Sequence, residues 1–210
     1  MTKKTLYIYR HGRTQYNLEH RVQGRGVNSS LDAHGLAQRD AFFEHYKSEG
    51  FELLLASSLK RSQESIAPFG LKLEQDIWHW PELDEVSWGI FEGQASTPEM
   101  HQNYKALMNA WGRGEYSAKI PQGESALEMA GRLRLALHKI EQLPQQKILI
   151  CTHGATLSFL SALLQGQELK ALRQYKHHNT GLSIFEQDGP HYRLKAQNEI
   201  EHLRLRNLLD

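Results

Sequence analysis

An arginine and a histidine stand near the start of the chain, at the point where an apolar run ends. Residues 6–9 are bulky, apolar and β-prone, which predicts a short buried strand, and Arg10, His11 and Gly12 follow directly. Gly12 permits a sharp turn, and Thr14 is suited to cap a following helix. An arginine and a histidine at the end of a strand, close to a helix N-terminus, form an anion site. We therefore expect a phosphate group to bind here and His11 to attack it.

Two further apolar runs also end in polar groups. Residues 51–56 lead to a pair of serines and Arg61, and residues 147–152 lead to His153. Because the carboxyl ends of parallel strands meet at one edge of a sheet, these groups can converge although they are far apart in sequence. Arginine binds phosphate oxygens in a bidentate manner, and a neutral imidazole is a competent nucleophile near pH 7. Glu85, on a loop beyond the second strand, can protonate the departing alcohol.

Strands and helices alternate along most of the chain, which predicts an α/β fold. We expect a three-layer α/β/α sandwich with a mostly parallel central sheet. Helical stripes predict a helix over residues 33–47, a helix capped by the serine pair, and a helix after Ser125 whose Arg132, Arg134 and Lys139 face outward. Residues 71–78 read as a further strand, and residues 182–186 and 192–196 read as edge or antiparallel strands.

Residues 94–120 have a different character from the rest of the chain. Tyr104, Leu107, Met108 and Trp111 form a helical stripe there, but glycines and a proline interrupt the surroundings. We expect a small helical cap inserted over the sheet edge. The chain shows no internal repeat and no low-complexity linker, so we expect a single domain over residues 1–210.

Composition narrows the class of protein. The 210 residues carry a formal net charge of +1, so no global field favours nucleic acid or an anionic membrane as a partner. The single cysteine, the lack of a signal-peptide pattern and the lack of a long apolar stretch predict a cytoplasmic protein without a membrane span. The 12 histidines show no metal-ligand spacing, so no metal site is expected.

Taken together, the motifs resemble those of the histidine phosphatase superfamily, also called the phosphoglycerate mutase-like family. One Arg-His-Gly tripeptide would be weak support, but the matches run in family order over nearly the whole chain. They are Arg10-His11-Gly12-x-Thr14, Asn17, Arg21-x-Gln23-Gly24, Ala56-Ser57-x-Leu59-x-Arg61, Leu83-x-Glu85-x-x-x-Gly89-x-x-Glu92-Gly93, Gly123-Glu124-Ser125, Thr152-His153-Gly154 and a C-terminal segment at residues 198–203.

The resemblance implies a role for each matched residue. His11 would be the nucleophile that becomes phosphohistidine, and Glu85 would be the general acid and base. The transferred phosphoryl group would be held by Arg10, Arg61 and His153. Further contacts from the first loop would come from Asn17, Gln23 and Gly24. The resemblance implies no metal and no cofactor, because the arginines neutralise the charge that magnesium neutralises elsewhere, and it implies a small phosphorylated metabolite as the partner.

The resemblance covers both phosphatases and mutases. Cofactor-dependent mutases of the family carry a basic residue directly after the catalytic glutamate, where this chain has Val86, and they carry a longer and more basic insertion. Phosphatase is therefore the preferred interpretation, and phosphoglycerate mutase is the alternative. Departures from the family pattern at residues 28–31 and at Gln122 touch no proposed catalytic group. Sugar phosphates, phosphoglycerates, nucleotide-pathway esters and α-ribazole phosphate are all compatible with the phosphate-binding residues.

Two readings from other classes stay open at this point. Cys151 lies two residues before His153, so a strand would place both on one face and a Cys–His hydrolase is conceivable. An inert thiol is the commoner outcome inside an apolar strand. A catalytically silent phosphate-binding protein is the second reading, although every proposed catalytic position is filled. The sequence leaves the oligomeric state open.

Overall fold

The computed structural model describes residues 3–175 and 177–209, over which strands and helices alternate. The strands are β1 (Thr5–Arg10), β2 (Leu53–Ala56), β3 (Ile77–His79), β4 (Lys147–Thr152), β5 (Leu182–Asp188) and β6 (His191–Glu199). The α-helices are α1 (Gln15–Leu18), α2 (Ala33–Tyr46), α3 (Lys60–Leu73), α4 (Pro98–Gly112), α5 (Ala126–Gln142), α6 (Gly154–Leu164) and α7 (Glu201–Arg204). Short 3₁₀ segments lie at Pro81–Leu83, Gly89–Phe91 and Leu169–Gln174.

The strands form one sheet in the order β3-β2-β4-β1-β5-β6. Neighbouring strands from β3 to β1 are parallel, whereas β5 and β6 are antiparallel to their neighbours. The predictions of a mostly parallel sheet and of antiparallel strands near the C-terminus are therefore confirmed. Strand β1 is central because its residues are apolar on both faces, as parallel strands covered on both sides require.

Two apolar cores lie on opposite faces of the sheet and give the three predicted layers. One core joins Ile8 and Ile150 to α5 and α6, and the other joins Tyr9 and Cys151 to α2 and α3. The alternation of strand side chains sends neighbouring residues to opposite cores. The same alternation decides which face each polar residue approaches at the ends of the strands.

The structure corrects two local predictions around α3. Residues 71–78 are not a strand: α3 continues to Leu73, ends at Glu74 in the left-handed conformation (φ 53°), and only Ile77–His79 joins the sheet. The serine pair does not cap α3 either, since the N-cap is Leu59 and no side chain supplies the cap hydrogen bond. Ser57 Oγ instead bonds to His153, as described below, and Ser58 Oγ donates to the Asp84 carboxylate.

Helix α4 is the helical element within residues 94–120, and Pro98 stands in its first turn rather than breaking it. Thr97 caps it by accepting a hydrogen bond from Met100 N. The division into one domain with a cap stays a prediction, and residues 1–2, 176 and 210 lie outside the described part of the chain. Within that part, none of the helices combines the length and apolar character that a transmembrane segment requires.

Candidate active site

The register of the sheet brings the predicted strand ends together. Strands β1 and β4 pair with Arg10 opposite Thr152, and His11 N donates to Thr152 O at 2.9 Å. His11 and His153 therefore occupy equivalent positions just beyond two adjacent parallel strands. Strand β2 pairs with the other side of β4, so the helix that follows it brings Arg61 to the same edge. The convergence expected from three separate strands is what the topology produces.

Side-chain alternation divides the site between the two faces of the sheet. Arg10 lies two positions after Ile8, so its side chain is on the same face of the sheet, toward α6. A β-carbon built on Gly154 of that helix would be 3.6 Å from Arg10 Nε. His11 lies two positions after Tyr9, so it is on the opposite face, toward α3. The arginine and the histidine thus approach the sheet edge from opposite faces.

The geometry of His11 indicates which ring nitrogen is the nucleophile. The residue is only 3% exposed, and its Nδ1 lies 2.7 Å from Gly12 O. A carbonyl oxygen can only accept, so Nδ1 carries the proton and Nε2 carries the lone pair. The same peptide is held from its other side, because Arg13 N donates to the buried Gln38 Oε1 at 2.9 Å. The tautomer of His11 is therefore fixed by backbone that cannot easily move.

Gly12 and Thr14 shape the loop that carries this carbonyl. A β-carbon on Gly12 would lie 2.6 Å from Gly35 O, so the glycine is required by the close approach of α2 rather than by an unusual turn. Thr14 caps α1 in a capping box: its Oγ1 accepts from Asn17 N, and Asn17 Oδ1 accepts from Thr14 N. The predicted N-cap at Thr14 is confirmed.

His153 holds the guanidinium of Arg61. Its Nδ1 lies 3.2 Å from Arg61 Nε, and its Nε2 lies 2.7 Å from Ser57 Oγ. Because Arg61 can only donate, Nδ1 of His153 is the acceptor and Nε2–H donates to Ser57. The rings of His11 and His153 are 5.1 Å apart, centroid to centroid. His153 therefore belongs to the cluster and orients the arginine within it.

Arg61 is completely buried, although it carries a charge. Its Nη1 donates to Val27 O at 2.5 Å, and its Nη2 donates to Gly24 O at 3.3 Å. Each Nη atom has a second N–H that these contacts do not use, and a tetrahedral anion can accept from both. Burial lowers the pKa of Arg61 to about 10, while the nearby Glu85 acts in the opposite direction, so the side chain stays cationic at neutral pH.

Burial and the arginines together keep both histidines neutral. Removal from water lowers the pKa of His11 well below its usual value, and the charges of Arg61 and Arg10 lower it further. The pKa of His153 is lowered by burial first, then by Arg61. A neutral imidazole is the nucleophilic form, so His11 keeps its lone pair down to a pH far below neutrality. The site is cationic through its arginines alone until an anion binds.

Glu85 is seated on the N-terminus of α6. Its Oε1 accepts from Val86 N at 3.0 Å and from Thr156 N at 3.1 Å, and it lies 3.0 Å from Thr156 Oγ1, whose single proton it shares with Asp84 O at 2.9 Å. Among the described residues, Oε2 accepts from Ala155 N alone, at 3.2 Å. The first N–H groups of a helix have no partner within the helix, and a carboxylate can accept from them. Since Oε1 is saturated and Oε2 is not, Oε2 is the oxygen available for proton transfer.

A largely buried ion pair supports the loop that carries Glu85. Arg132 binds Glu124 in a bidentate manner at 2.7 and 2.9 Å, with side-chain exposures of 11% and 10%. The same guanidinium donates to Glu82 O at 2.8 Å and to Glu85 O at 3.1 Å. The prediction that Arg132 faces outward is therefore wrong. The loop after Leu83 folds back over α5 and covers the face on which Arg132 lies, whereas Arg134 and Lys139 are exposed as predicted.

The three residues predicted to bind substrate from the first loop lie around the cluster. Asn17 and Gln23 both contact Thr14: Asn17 Oδ1 accepts from it, and Gln23 Nε2 donates to its Oγ1 at 2.8 Å. Gly24 presents its carbonyl to Arg61, and a β-carbon there would lie 2.1 Å from Glu92 Oε1. The roles of Asn17, Gln23 and Gly24 toward a substrate stay predictions. Glu92 holds the backbone of this loop.

Sequence reasoning missed Asn179. This buried residue donates from Nδ2 to His11 O at 2.9 Å and lies 3.5 Å from Asn17 Oδ1. Thr180 N in turn donates to Arg10 O at 2.9 Å. A signal was available, because the polar run before β5 must lie at the site's edge of the sheet once β5 is antiparallel to β1.

A cavity of about 530 Å³ opens beside the cluster. Arg10, Asn17 and Asn179 line it together with residues of the first loop and with His101 of the α4 helix. This cavity gives a small anion a route to Arg10.

Cys151 does not take part in the cluster. It is fully buried in the core under α2 and α3, and burial raises the pKa of its thiol to about 12. A thiolate nucleophile at this position is therefore not formed near neutral pH. Among the described residues, no group of three or more His, Cys, Asp or Glu side chains is arranged to hold a metal ion.

Known proteins share both the sequence and the fold. The chain is 31% identical over 186 residues to "Probable phosphoglycerate mutase GpmB" of Yersinia pestis (strain Pestoides F), covering 85% of this chain and 82% of that protein. It superposes with TM-score 0.81 and 26% identity on a "putative alpha-ribazole-5'-P phosphatase" of Escherichia coli str. K-12 substr. MG1655, over 93% of this chain and 96% of that one.

A mycobacterial glucosyl-3-phosphoglycerate phosphatase shares the fold at TM-score 0.79 and 20% identity, over 94% of this chain and 100% of that one. The sequence model of the histidine phosphatase superfamily (branch 1) matches residues 6–200. That range begins in β1 and ends beyond β6, so it includes every residue of the cluster. The chain belongs to branch 1 of the histidine phosphatase superfamily.

Proposed function

We propose that this chain is a phosphoric monoester hydrolase that acts on small phosphomonoesters through a phosphohistidine intermediate on His11. The observation that carries the proposal is the contact between His11 Nδ1 and Gly12 O, which leaves Nε2 unprotonated in a cluster with two arginines. Glu85 is the general acid and base. The relatives named as phosphatases support the reaction class.

In the first step, the Nε2 lone pair of His11 forms a bond to phosphorus, and the bond between phosphorus and the ester oxygen breaks. A protonated Glu85 gives its proton from Oε2 to the departing oxygen, which leaves as the alcohol. The phosphorylated imidazole is cationic, and its Nδ1–H stays bonded to Gly12 O. The proton thus moves from enzyme to leaving group while the phosphoryl group moves to the enzyme.

In the second step, water attacks phosphorus and the bond between phosphorus and Nε2 breaks. The Glu85 carboxylate takes a proton from the water, so the acid is regenerated for the next turnover. Inorganic phosphate leaves, and His11 recovers its lone pair. One carboxyl group serves both steps because the leaving oxygen and the water occupy the same position opposite His11.

Arg10 and Arg61 carry the charge in this scheme. A transferring phosphoryl group spreads negative charge over its equatorial oxygens, and fixed guanidinium groups stabilise it without rearranging. The guanidinium of Arg61 is held in place, because each of its three nitrogens donates to a fixed partner in Val27, Gly24 or His153. No resident metal is required by this chemistry.

Phosphoglycerate mutase is the second candidate, favoured by the name of the sequence relative from Yersinia pestis. Mutases of the family carry a basic residue where this chain has Val86. Val86 is fully buried in the core under α5 and α6 and presents no charge to the substrate. The absence of a cation at this position supports hydrolysis over transfer.

The test uses p-nitrophenyl phosphate at neutral and mildly acidic pH with the parent chain and two variants. His11→Ala should abolish turnover, whereas His138→Ala should not, because His138 is an exposed histidine on α5. Rapid quenching of the parent should trap acid-labile phosphate on His11. Equal turnover in parent and His11→Ala would reject the nucleophile. No turnover in the parent would favour a phosphate-binding protein.

A second assay separates the two reactions. The parent chain is given 3-phosphoglycerate with and without 2,3-bisphosphoglycerate, and the release of inorganic phosphate is compared with the formation of 2-phosphoglycerate. We expect release to dominate for every ester that turns over. Transfer that dominates and depends on the bisphosphate would establish the mutase instead.

A further inference from the structure

A second cavity, of about 430 Å³, lies between α4 and the start of α6, the helix whose N-terminus binds Glu85. Its walls are mainly aromatic and include Trp88, Tyr104, Trp111, Phe159 and Tyr175, and one charged side chain, Lys105, also lines it. Helix α4 provides one wall and helix α6 another. No step of the proposed reaction uses these residues, so the cavity needs its own explanation.

The cavity lies where the alcohol part of the substrate must go. Ala155 lines it, and Ala155 N is the group that binds Glu85 Oε2 at 3.2 Å. Trp88, three positions after Glu85, also lines it. Because Oε2 protonates the departing oxygen, the atoms attached to that oxygen extend from Oε2 into this cavity. In the proposed reaction the phosphoryl group takes the position beside Arg10.

Two polar atoms of the aromatic wall are already used elsewhere. Trp111 Nε1 donates to Ala118 O at 2.9 Å. Tyr175 Oη accepts a hydrogen bond from Gln165 and donates one to Gln167. The rings meet edge to face, with centroids 5.4 Å apart for Trp88 and Tyr104. Such walls bind a flat apolar ring, whereas the hydroxyl groups of a sugar or of glycerol would lose water against the aromatic part of the wall.

We propose that the enzyme prefers phosphomonoesters whose alcohol carries a planar aromatic ring, which binds between α4 and α6 in the cavity lined by Trp88, Tyr104 and Phe159. This inference rests on the proposed phosphatase activity and names its substrate class. The cap helix thereby selects the alcohol, while the strand ends select the phosphate. The phosphate-binding residues alone would accept any monoester.

The test compares kcat/KM for 2-naphthylmethyl phosphate and sn-glycerol 3-phosphate, both esters of primary alcohols. Burial of a ring of this size should favour the naphthyl ester by about 10- to 100-fold. Ser158 is half-buried on α6 and lines the cavity, so Ser158→Leu should fill it and lower that ratio at least about tenfold. Gln102→Ala, on the exposed face of α4, should leave the ratio unchanged.

Binding without hydrolysis separates this inference from the proposed mechanism. Calorimetric titration should show that 2-naphthylmethylphosphonate binds more tightly than methylphosphonate to the parent and to His11→Ala, but not to Ser158→Leu. A ratio near one for both esters and both phosphonates would overturn the aromatic preference while leaving the phosphatase intact. A phosphonate preference in a parent chain that shows no turnover would retain the pocket and reject the mechanism.

Discussion

Replacing Arg132 by leucine tests whether a residue outside the reacting cluster positions the general acid. The side chain lies on α5, binds Glu124, and donates to the carbonyl oxygens of Glu82 and Glu85. Arg132→Leu keeps the apolar stem and removes every one of these donors. Arg134→Leu is the matched control, because Arg134 is two positions further along the same helix and is exposed.

The magnitude follows from what the substitution leaves behind. The Glu124 carboxylate, 10% exposed, would lose its cation, which costs about 3 kcal/mol of folding free energy. For a chain of this size, that corresponds to a fall in Tm of about 6–12 °C. The loop would also lose two fixed carbonyls, and a shift of about 1 Å in the Glu85 carboxylate would lower kcat about 100-fold. Arg134→Leu should change stability by less than about 0.5 kcal/mol.

Thermal unfolding and steady-state hydrolysis of p-nitrophenyl phosphate measure the two effects separately. The double variant Glu124→Leu/Arg132→Leu should recover part of the stability, because no unpaired carboxylate remains buried. It should not recover kcat, since the carbonyls of Glu82 and Glu85 still lack their donors. Wild-type kcat in a folded Arg132→Leu protein would refute the reasoning, and so would an equal loss in Arg134→Leu.

Three further predictions follow from contacts elsewhere in the fold. Ser57→Ala removes the partner of His153 Nε2, so the imidazole ring is released and kcat/KM should fall about tenfold. Urea unfolding should show a loss of about 1–2 kcal/mol in the free energy of unfolding. An unchanged kcat/KM would contradict this. Gly24→Ala would place a β-carbon 2.1 Å from Glu92 Oε1, so we expect about 1–3 kcal/mol of destabilisation on thermal unfolding and weaker substrate binding. Burial lowers the pKa of His202 to about 4, below that of the unfolded chain, so stability is full above about pH 6.5 and falls as the pH drops toward 4. From pH 7.5 to 5 this histidine alone should cost about 2 kcal/mol, and His202→Gln should reduce the measured pH dependence by that amount.

The sequence by itself determined the residue types of the site and the order in which they occur. Short apolar runs of β-prone residues reveal strands locally, so the polar groups that end them, such as His11 and His153, are visible without coordinates. The right-handed, parallel arrangement expected of alternating strands and helices then sends those ends to one edge. The predicted sheet and its antiparallel C-terminal strands follow from the same local periodicity.

The tertiary structure decided the contacts between groups far apart in the chain. Arg132 and Glu85 are 47 positions apart, and the polar pattern of α5 cannot show that a distant loop covers one side of it. The proton on His11 Nδ1 and the seat of Glu85 on α6 likewise depend on which carbonyls and amides come within hydrogen-bond distance. Periodicity is a property of neighbouring residues, whereas burial of a polar side chain depends on what the rest of the fold places against it.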